Sequence, residues 1–248
     1  MSTKSTSDGI GQPQPRTAAG PDLGTAGADN PAWAALTGPQ ASLAEARGAA
    51  VRYPADMAQF AAVRDWTDAE AWDDLAALAR PGEALILAAR AIVLPAGRVA
   101  AQRATGLQMV AVDVDGVHEA EVLTTEDVPE VLDLVTRTKP GPFLPRTIEF
   151  GRYLGIRRNG RLVSMAGERM RGPGWTEISA VCTDDAYRGQ GLAARMVRAV
   201  AAGIAGRGET ALLHVDQKNS SAIRFYENLG FTVRAEMDFV LLEDGGGR

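Results

Sequence analysis

Arg188-Gly189-Gln190-Gly191-Leu192-Ala193 lies between an apolar run and a helical pattern, and its meaning decides the fold. Upstream, Trp175-Thr176-Glu177-Ile178-Ser179-Ala180-Val181-Cys182-Thr183 predicts a mostly buried strand. Downstream, Leu192, Met196, Val197, Val200 and Ile204 recur at helical spacing, with Arg195 and Arg198 on the other side. A glycine-bearing loop that opens a helix presents unpaired backbone N–H groups at the positive end of the helix dipole. That combination suits a phosphate or diphosphate. Glycine is favoured there because a side chain would hold the backbone away from the ligand.

Three phosphate-binding loops compete for the segment. A nucleoside-triphosphatase loop needs Gly-Lys followed by Ser or Thr, and Gly191-Leu192-Ala193 supplies none of these. A dinucleotide fingerprint fits in its relaxed form, Gly189-x-Gly191-x-x-Ala194, with Asp216 standing roughly 20 residues on, where a ribose-binding acid is expected. Against it, Asp184-Asp185-Ala186-Tyr187-Arg188 separates strand from glycines, whereas that fingerprint turns tightly off its strand. Too few residues also follow Asp216 to complete a doubly wound half. The third loop is one for coenzyme A, with the form Arg188-x-x-Gly191-x-Ala193.

On these residues the sequence resembles the GNAT superfamily of acyl-CoA-dependent N-acyltransferases. Val181 to Gly191 is similar to that family's strand-loop-helix block, and Asn219-Ser220-Ser221-Ala222-Ile223-Arg224-Phe225-Tyr226-Glu227-Asn228-Leu229-Gly230-Phe231 is similar to its second block. Two blocks in the right order are more specific than either alone. The resemblance runs from about residue 119 to 242 and implies an α/β (α+β) GNAT fold, a mixed central sheet flanked by helices.

The resemblance also implies roles. Acetyl-CoA would be the co-substrate, held by Val181, Cys182, Thr183, Arg188, Gly189, Gln190, Gly191, Leu192, Ala193, Asn219, Ala222 and Tyr226. In the family this strand splays from the next, leaving an edge that bonds the pantetheine arm. An N–H near Val181 would face the thioester carbonyl, where negative charge builds. Tyr226 would donate a proton to the leaving thiolate, and Glu177, on the face of Ser179 and Val181, would take one from the amine directly or through water. Each residue also has a plainer role. Arg188 suits a solvated flank of the loop, Asn219 a helix N-cap, Gly230 a left-handed C-cap, Tyr226 a packing tyrosine and Glu177 a paired strand charge. His214 can reach the cleft from the neighbouring strand, or be structural. Cys182 points opposite to Val181 and has no evident base, which argues against an acyl-cysteine route.

The rest of the chain bounds these expectations. It has 248 residues, a formal net charge of −5, 46% hydrophobic content and one cysteine. The charge argues against a general nucleic-acid surface, and the lone Cys182 excludes an intramolecular disulfide. No apolar run reaches the ~18 residues of a membrane span, and residues 1–30 lack the apolar core of a signal peptide, so the expected location is the cytoplasm. His and Cys form no ligand-spaced cluster, so no metal is expected. The acceptor, a small-molecule amine or a protein or peptide amine, stays open, as does a homodimer. Rival functions are a non-catalytic acyl-CoA-binding module and a nicotinamide-dependent oxidoreductase.

Residues 1–30, rich in Ser, Thr, Gly and Pro, predict a disordered tail. Residues 31–117 predict a smaller N-terminal α/β subdomain without a catalytic constellation, which packs against or shapes the site or is a degenerate copy of the fold that follows. It has a helix capped by Thr67 and strands at Ala84–Leu87 and Leu107–Val112. Residues 118–248 predict the GNAT domain: a strand at Ala120–Leu123, a helix capped by Thr125, and a hairpin about Asn159-Gly160. Strands then follow at Trp175–Thr183, Thr210–Val215 and Thr232–Leu242. Seven arginines between 146 and 171 suggest a carboxylate-bearing substrate or the cofactor phosphates, or else an exposed hairpin face.

Overall fold

The computed structural model describes residues 25–112, 114 and 120–243. Helices α1 (Thr25–Asp29) and α2 (Pro31–Leu36) precede β1 (Glu45–Arg47), β2 (Ala50–Arg52), β3 (Phe60–Val63), α3 (Ala69–Leu78), β4 (Ala84–Ala89) and β5 (Gln102–Ala111). There follow β6 (Glu121–Leu123), α4 (Val128–Thr138), β7 (Tyr153–Arg158), β8 (Arg161–Gly172), β9 (Trp175–Thr183), α5 (Leu192–Ala205), β10 (Thr210–Asp216), α6 (Ser220–Asn228) and β11 (Phe231–Glu243).

Local signals account for most boundaries. Asn159 and Gly160 both take positive φ, 52° and 76°, as a type I′ turn between β7 and β8 requires. Along α5, Leu192, Met196, Val197, Val200 and Ile204 are buried, as their spacing predicts. The helix caps fall one residue away from the expected ones. Asp68, not Thr67, caps α3 by accepting from Glu70 N, while Thr67 bonds Asp65. Thr124, not Thr125, forms a reciprocal capping box with Asp127 ahead of α4. Of the tail expected over 1–30, residues 1–24 lie outside the described residues. Residues 25–29 form α1 instead, because Ala28 is small enough to bury against Ala32 and Ala35 of the core.

Among the described residues, all strands join one 11-stranded sheet in the order β1-β2-β3-β4-β11-β5-β10-β9-β8-β7-β6. This sheet runs unbroken across the boundary expected at 117. The first half's last strand, β5, lies between β10 and β11, antiparallel to both, while β11 bridges β5 and β4. It also excludes the doubly wound arrangement of a dinucleotide fold, since most neighbours are antiparallel. Alternate residues of β7 send Leu154 and Ile156 to the core beneath α5, and Tyr153 to the core beneath α4 on the other face.

Because β5 supplies hydrogen bonds to both β10 and β11, the second half cannot close its sheet alone. Residues 120–248 expressed separately are expected to be insoluble or to lack a cooperative melting transition, and co-expression with 1–112 to restore both. A soluble, cooperatively melting 120–248 fragment would contradict this.

Candidate functional site

The site begins where two parallel strands part. β9 and β10 are joined at Thr210↔Trp175, Ala211↔Thr176 and Leu212↔Glu177, and no rung follows. On its other side β9 stays paired with β8 up to Ser164↔Thr183, but the register slips between Met165 and Gly167. The extra residue lies on β9, and Ala180 there takes φ 54°, a costly conformation for a side-chain-bearing residue. The bulge re-aims the strand. Ala180 packs with the α4-side core, Val181 with the α5-side core, and Cys182 is buried under α4. Ser164 anchors the strand end: its hydroxyl donates to Cys182 O at 3.0 Å, so the Thr183 hydroxyl at 2.9 Å is the donor to Ser164.

At the end of β9 the chain turns into α5 through the glycine loop. Gly189 and Gly191 have φ 77° and 72°, and a Cβ added to either would meet nothing within 4 Å. Positive φ explains the glycines, and the open space leaves the backbone approachable. Gly191 is the α5 N-cap without a side-chain cap bond, so the first-turn N–H groups retain unmet donor capacity. Arg188 is exposed and pairs with Asp185 at 2.8 Å, consistent with a flanking position.

Strand edge, loop and α6 enclose a cavity of about 600 Å³. Of the residues expected there, Val181, Cys182, Thr183, Arg188, Gly189, Gly191, Leu192, Ala193, Asn219, Ala222 and Tyr226 line it. Gln190 and Glu177 do not. Thr138 and Pro140 from the end of α4, with Tyr187, Ala194, Ser221 and Phe225, complete the wall and were not anticipated. Thr138 and Pro140 come from a distant segment with no motif to mark them. Ser221 and Phe225 could have been found from their spacing to Ala222 and Tyr226 on α6. Asn219 caps α6, its side-chain oxygen accepting from Ala222 N at 3.0 Å, while also lining the cavity. Gly230 takes φ 92° just beyond α6, the left-handed position expected of it.

Tyr226 packs edge-on to Phe225 and Phe231, with centroids at 5.1 and 5.9 Å, and burial pushes its hydroxyl up to about 12. It therefore keeps its proton throughout the neutral and mildly alkaline range. Burial likewise raises the Cys182 thiol to about 11, which leaves it un-ionised and a poor nucleophile.

Glu177 sits on the opposite face at the last rung of the wedge and is fully buried. Its oxygens are occupied: Arg169 Nε donates to Oε2 at 2.8 Å, and Arg169 Nη2 and His214 Nδ1 approach Oε1 at 2.5 and 2.6 Å. Burial alone would raise its pKa, but the Arg169 guanidinium and His214 prevail and hold the carboxyl far below the usual range. The histidine tautomer follows from its other neighbour. Gln108 accepts from Arg234 through Oε1 at 2.7 Å and donates through Nε2 to Ala28 O at 2.9 Å. That same Nε2 is 3.0 Å from His214 Nε2, which must accept, so Nδ1 carries the proton given to Glu177.

The arginine-rich stretch does not converge on the cavity. Arg146 pairs with Glu149 and Asp56, Arg157 with Glu121, Asp127 and Glu130, Arg161 with Asp133, Arg169 with Glu177, and Arg171 with Glu209. Carboxylates of the chain itself meet these charges. Among the described residues no group of His, Cys, Asp and Glu is placed to hold a metal, and no helix is long and apolar enough to cross a membrane.

Comparison with known proteins agrees with this geometry. Residues 153–240 match the family described as FR47-like protein. A putative GNAT-family acetyltransferase from Novosphingobium aromaticivorans is 40% identical, with a TM-score of 0.80, over 87% of this chain and 97% of that one. The chain belongs to the GNAT family. A GCN5-related N-acetyltransferase from Kribbella flavida shares the fold at 21% identity, with a TM-score of 0.57 over 93% of this chain and 98% of the other. No curated protein matches the sequence. Family membership makes this GNAT protein an acyltransferase, and its mixed sheet flanked by helices is the GNAT architecture.

The Arg169–Glu177 pair gives a stability test. Glu177→Gln leaves a buried guanidinium without its anion and is expected to cost about 3–5 kcal/mol in urea unfolding. Since folding depresses this carboxyl's pKa, its contribution is complete above the unfolded value of about 4.3 and is lost as pH falls through the folded value. Stability of the parent should thus decline more steeply in acid than that of the variant. A loss within 1 kcal/mol, or parallel acid profiles, would show the pair to be of little consequence.

Proposed function

We propose that this GNAT protein transfers an acetyl group from acetyl-CoA to an amine by direct attack within a ternary complex. The observation that carries this is the meeting, in one cavity, of an unpaired strand edge, an uncapped helix N-terminus and the Tyr226 hydroxyl. The residues present suit the co-substrate. First-turn N–H groups at Gly191–Ala193 answer a diphosphate, and the free edge of β9 answers the amides of a pantetheine arm. A main-chain N–H near Val181 is the donor for the thioester oxygen as it gains negative charge.

In the reaction the amine nitrogen bonds to the carbonyl carbon, the C–S bond breaks, and the electron pair leaves with sulfur. Tyr226 supplies the proton to that sulfur. Its raised pKa keeps that proton in place through the neutral and mildly alkaline range. Glu177 is poorly suited as a base, because it lies outside the cavity and a carboxylate held this acidic takes a proton reluctantly. Its charge is paired with Arg169, and together with His214 it ties β8, β9 and β10 at the apex of the wedge. Water accepts the proton that the attacking nitrogen loses, and the Tyr226 phenolate recovers its own from water after product leaves. The enzyme's larger contribution is alignment of the two reactants. The acceptor is a small-molecule or peptide amine, and mass-spectrometric screening of an amine panel with acetyl-CoA identifies it.

Tyr226→Phe is expected to lower kcat by roughly 10²-fold, with the acetyl-CoA KM little changed. In the parent, kcat should show no falling alkaline limb below about pH 10, because the phenol ionises near 12. A variant as fast as the parent would remove Tyr226 from the chemistry. Binding of coenzyme A without product across the panel would instead indicate a binding module.

A further inference from the structure

The sheet reads alike from either end. Inward from one edge come β1-β2-β3-β4 and β11, and from the other, inside the short β6, come β7-β8-β9-β10 and β5. In each half an antiparallel three-stranded meander is followed by a helix and then a strand parallel to the third. α3 joins β3 to β4 as α5 joins β9 to β10, and each half takes its closing strand from the other. The N-terminal half therefore contains its own wedge. β3 and β4 share only the rungs Phe60↔Ile86 and Ala61↔Leu87 before they part.

That second wedge is filled by the chain. Beyond its last rung, Asn30 Nδ2 donates to Val63 O at 2.9 Å on one edge, and Arg90 N donates to Asp29 O at 2.8 Å on the other. Asp29-Asn30 thus spans the gap that in the C-terminal half is the free edge of β9. The strand-to-helix junction differs in the same sense. Arg64-Asp65-Trp66-Thr67-Asp68 contains no glycine, Asp68 takes the Glu70 N–H at 3.0 Å, and Asp65 takes the Thr67 N–H at 2.9 Å. Carboxylates there satisfy the donors and repel an anion. Residues 90–101, between β4 and β5, form no counterpart to α6.

Resting on the acyl-CoA reading above, we infer that each chain binds a single acyl-CoA, in the C-terminal wedge, and that the N-terminal wedge is a closed copy of the site with Asp29-Asn30 in the ligand's place. The plug also braces the open wedge. Ala28 O accepts from Gln108, and the Asp29 carboxylate accepts from Arg234 at 2.9 Å, the two side chains that orient His214 against Glu177.

Calorimetric titration of the full chain with coenzyme A tests this. The expected result is a single site per chain, weakened at least about tenfold by Gly191→Val, which fills the open space over the loop. Ala222→Trp, which fills the cavity from α6, should do the same and should melt near the parent's temperature, whereas Gly191→Val also strains a positive-φ position and should melt somewhat lower. Two sites per chain would overturn the inference, as would binding of unchanged affinity in both variants. No binding by the parent would instead defeat the cofactor reading on which the inference rests.

Discussion

Parallel strands normally continue side by side until their loops intervene, yet β9 and β10 part after Leu212↔Glu177 while β9 runs on for six more residues. Those residues are held on one side by β8 alone, and the bulge with Ala180 at φ 54° turns them away from β10. An unpaired edge inside a protein is costly unless something bonds to it. In the N-terminal half the equivalent gap is bridged by Asp29 and Asn30. In the C-terminal half the edge instead faces a cavity that also receives the start of α5. The site follows from that one divergence.

The two faces of the sheet divide the chemistry. On the α5 side, Tyr226 is an isolated phenol whose raised pKa comes from burial alone. On the other, Glu177 is also buried, but Arg169 and His214 more than reverse the effect of burial. One group is thereby kept protonated and the other ionised around neutral pH, and both environments are set by packing rather than by substrate. The surrounding arginines belong to the same economy of charge. Arg157 and Arg171 look like anion sites in the sequence, but each holds a carboxylate of its own chain.

What could be recognised in the sequence was local. Asn159-Gly160, the glycine loop and the Asn219–Phe231 segment carry their geometry in adjacent residues, so turn, strand-to-helix junction and capped helix were all legible. The cap positions moved by a residue because Asp68 and Thr124 sit beside equally good capping side chains. The exchange of β5 and β11 left no such mark, since an apolar alternation announces a strand but not its neighbour. Thr138 and Pro140 reach the cavity only because α4 packs across β8 and β9. The partner of Glu177 was hidden by a bulge: counting back from the Pro173-Gly174 turn puts Met170 opposite it, and the register shift between Glu168 and Arg171 brings Arg169 across instead. The arginine stretch pointed away from that pairing because a count of charges does not say which carboxylates lie across the sheet.

A crystal structure of the protein with acetyl-CoA is the most direct measurement. The account predicts the diphosphate within hydrogen-bond reach of the main-chain N–H groups between Gly189 and Ala193, the pantetheine amides along the open edge of β9, and sulfur beside Tyr226. Acetyl-CoA bound elsewhere, or a loop that stays empty with β9 and β10 closed together, would contradict it.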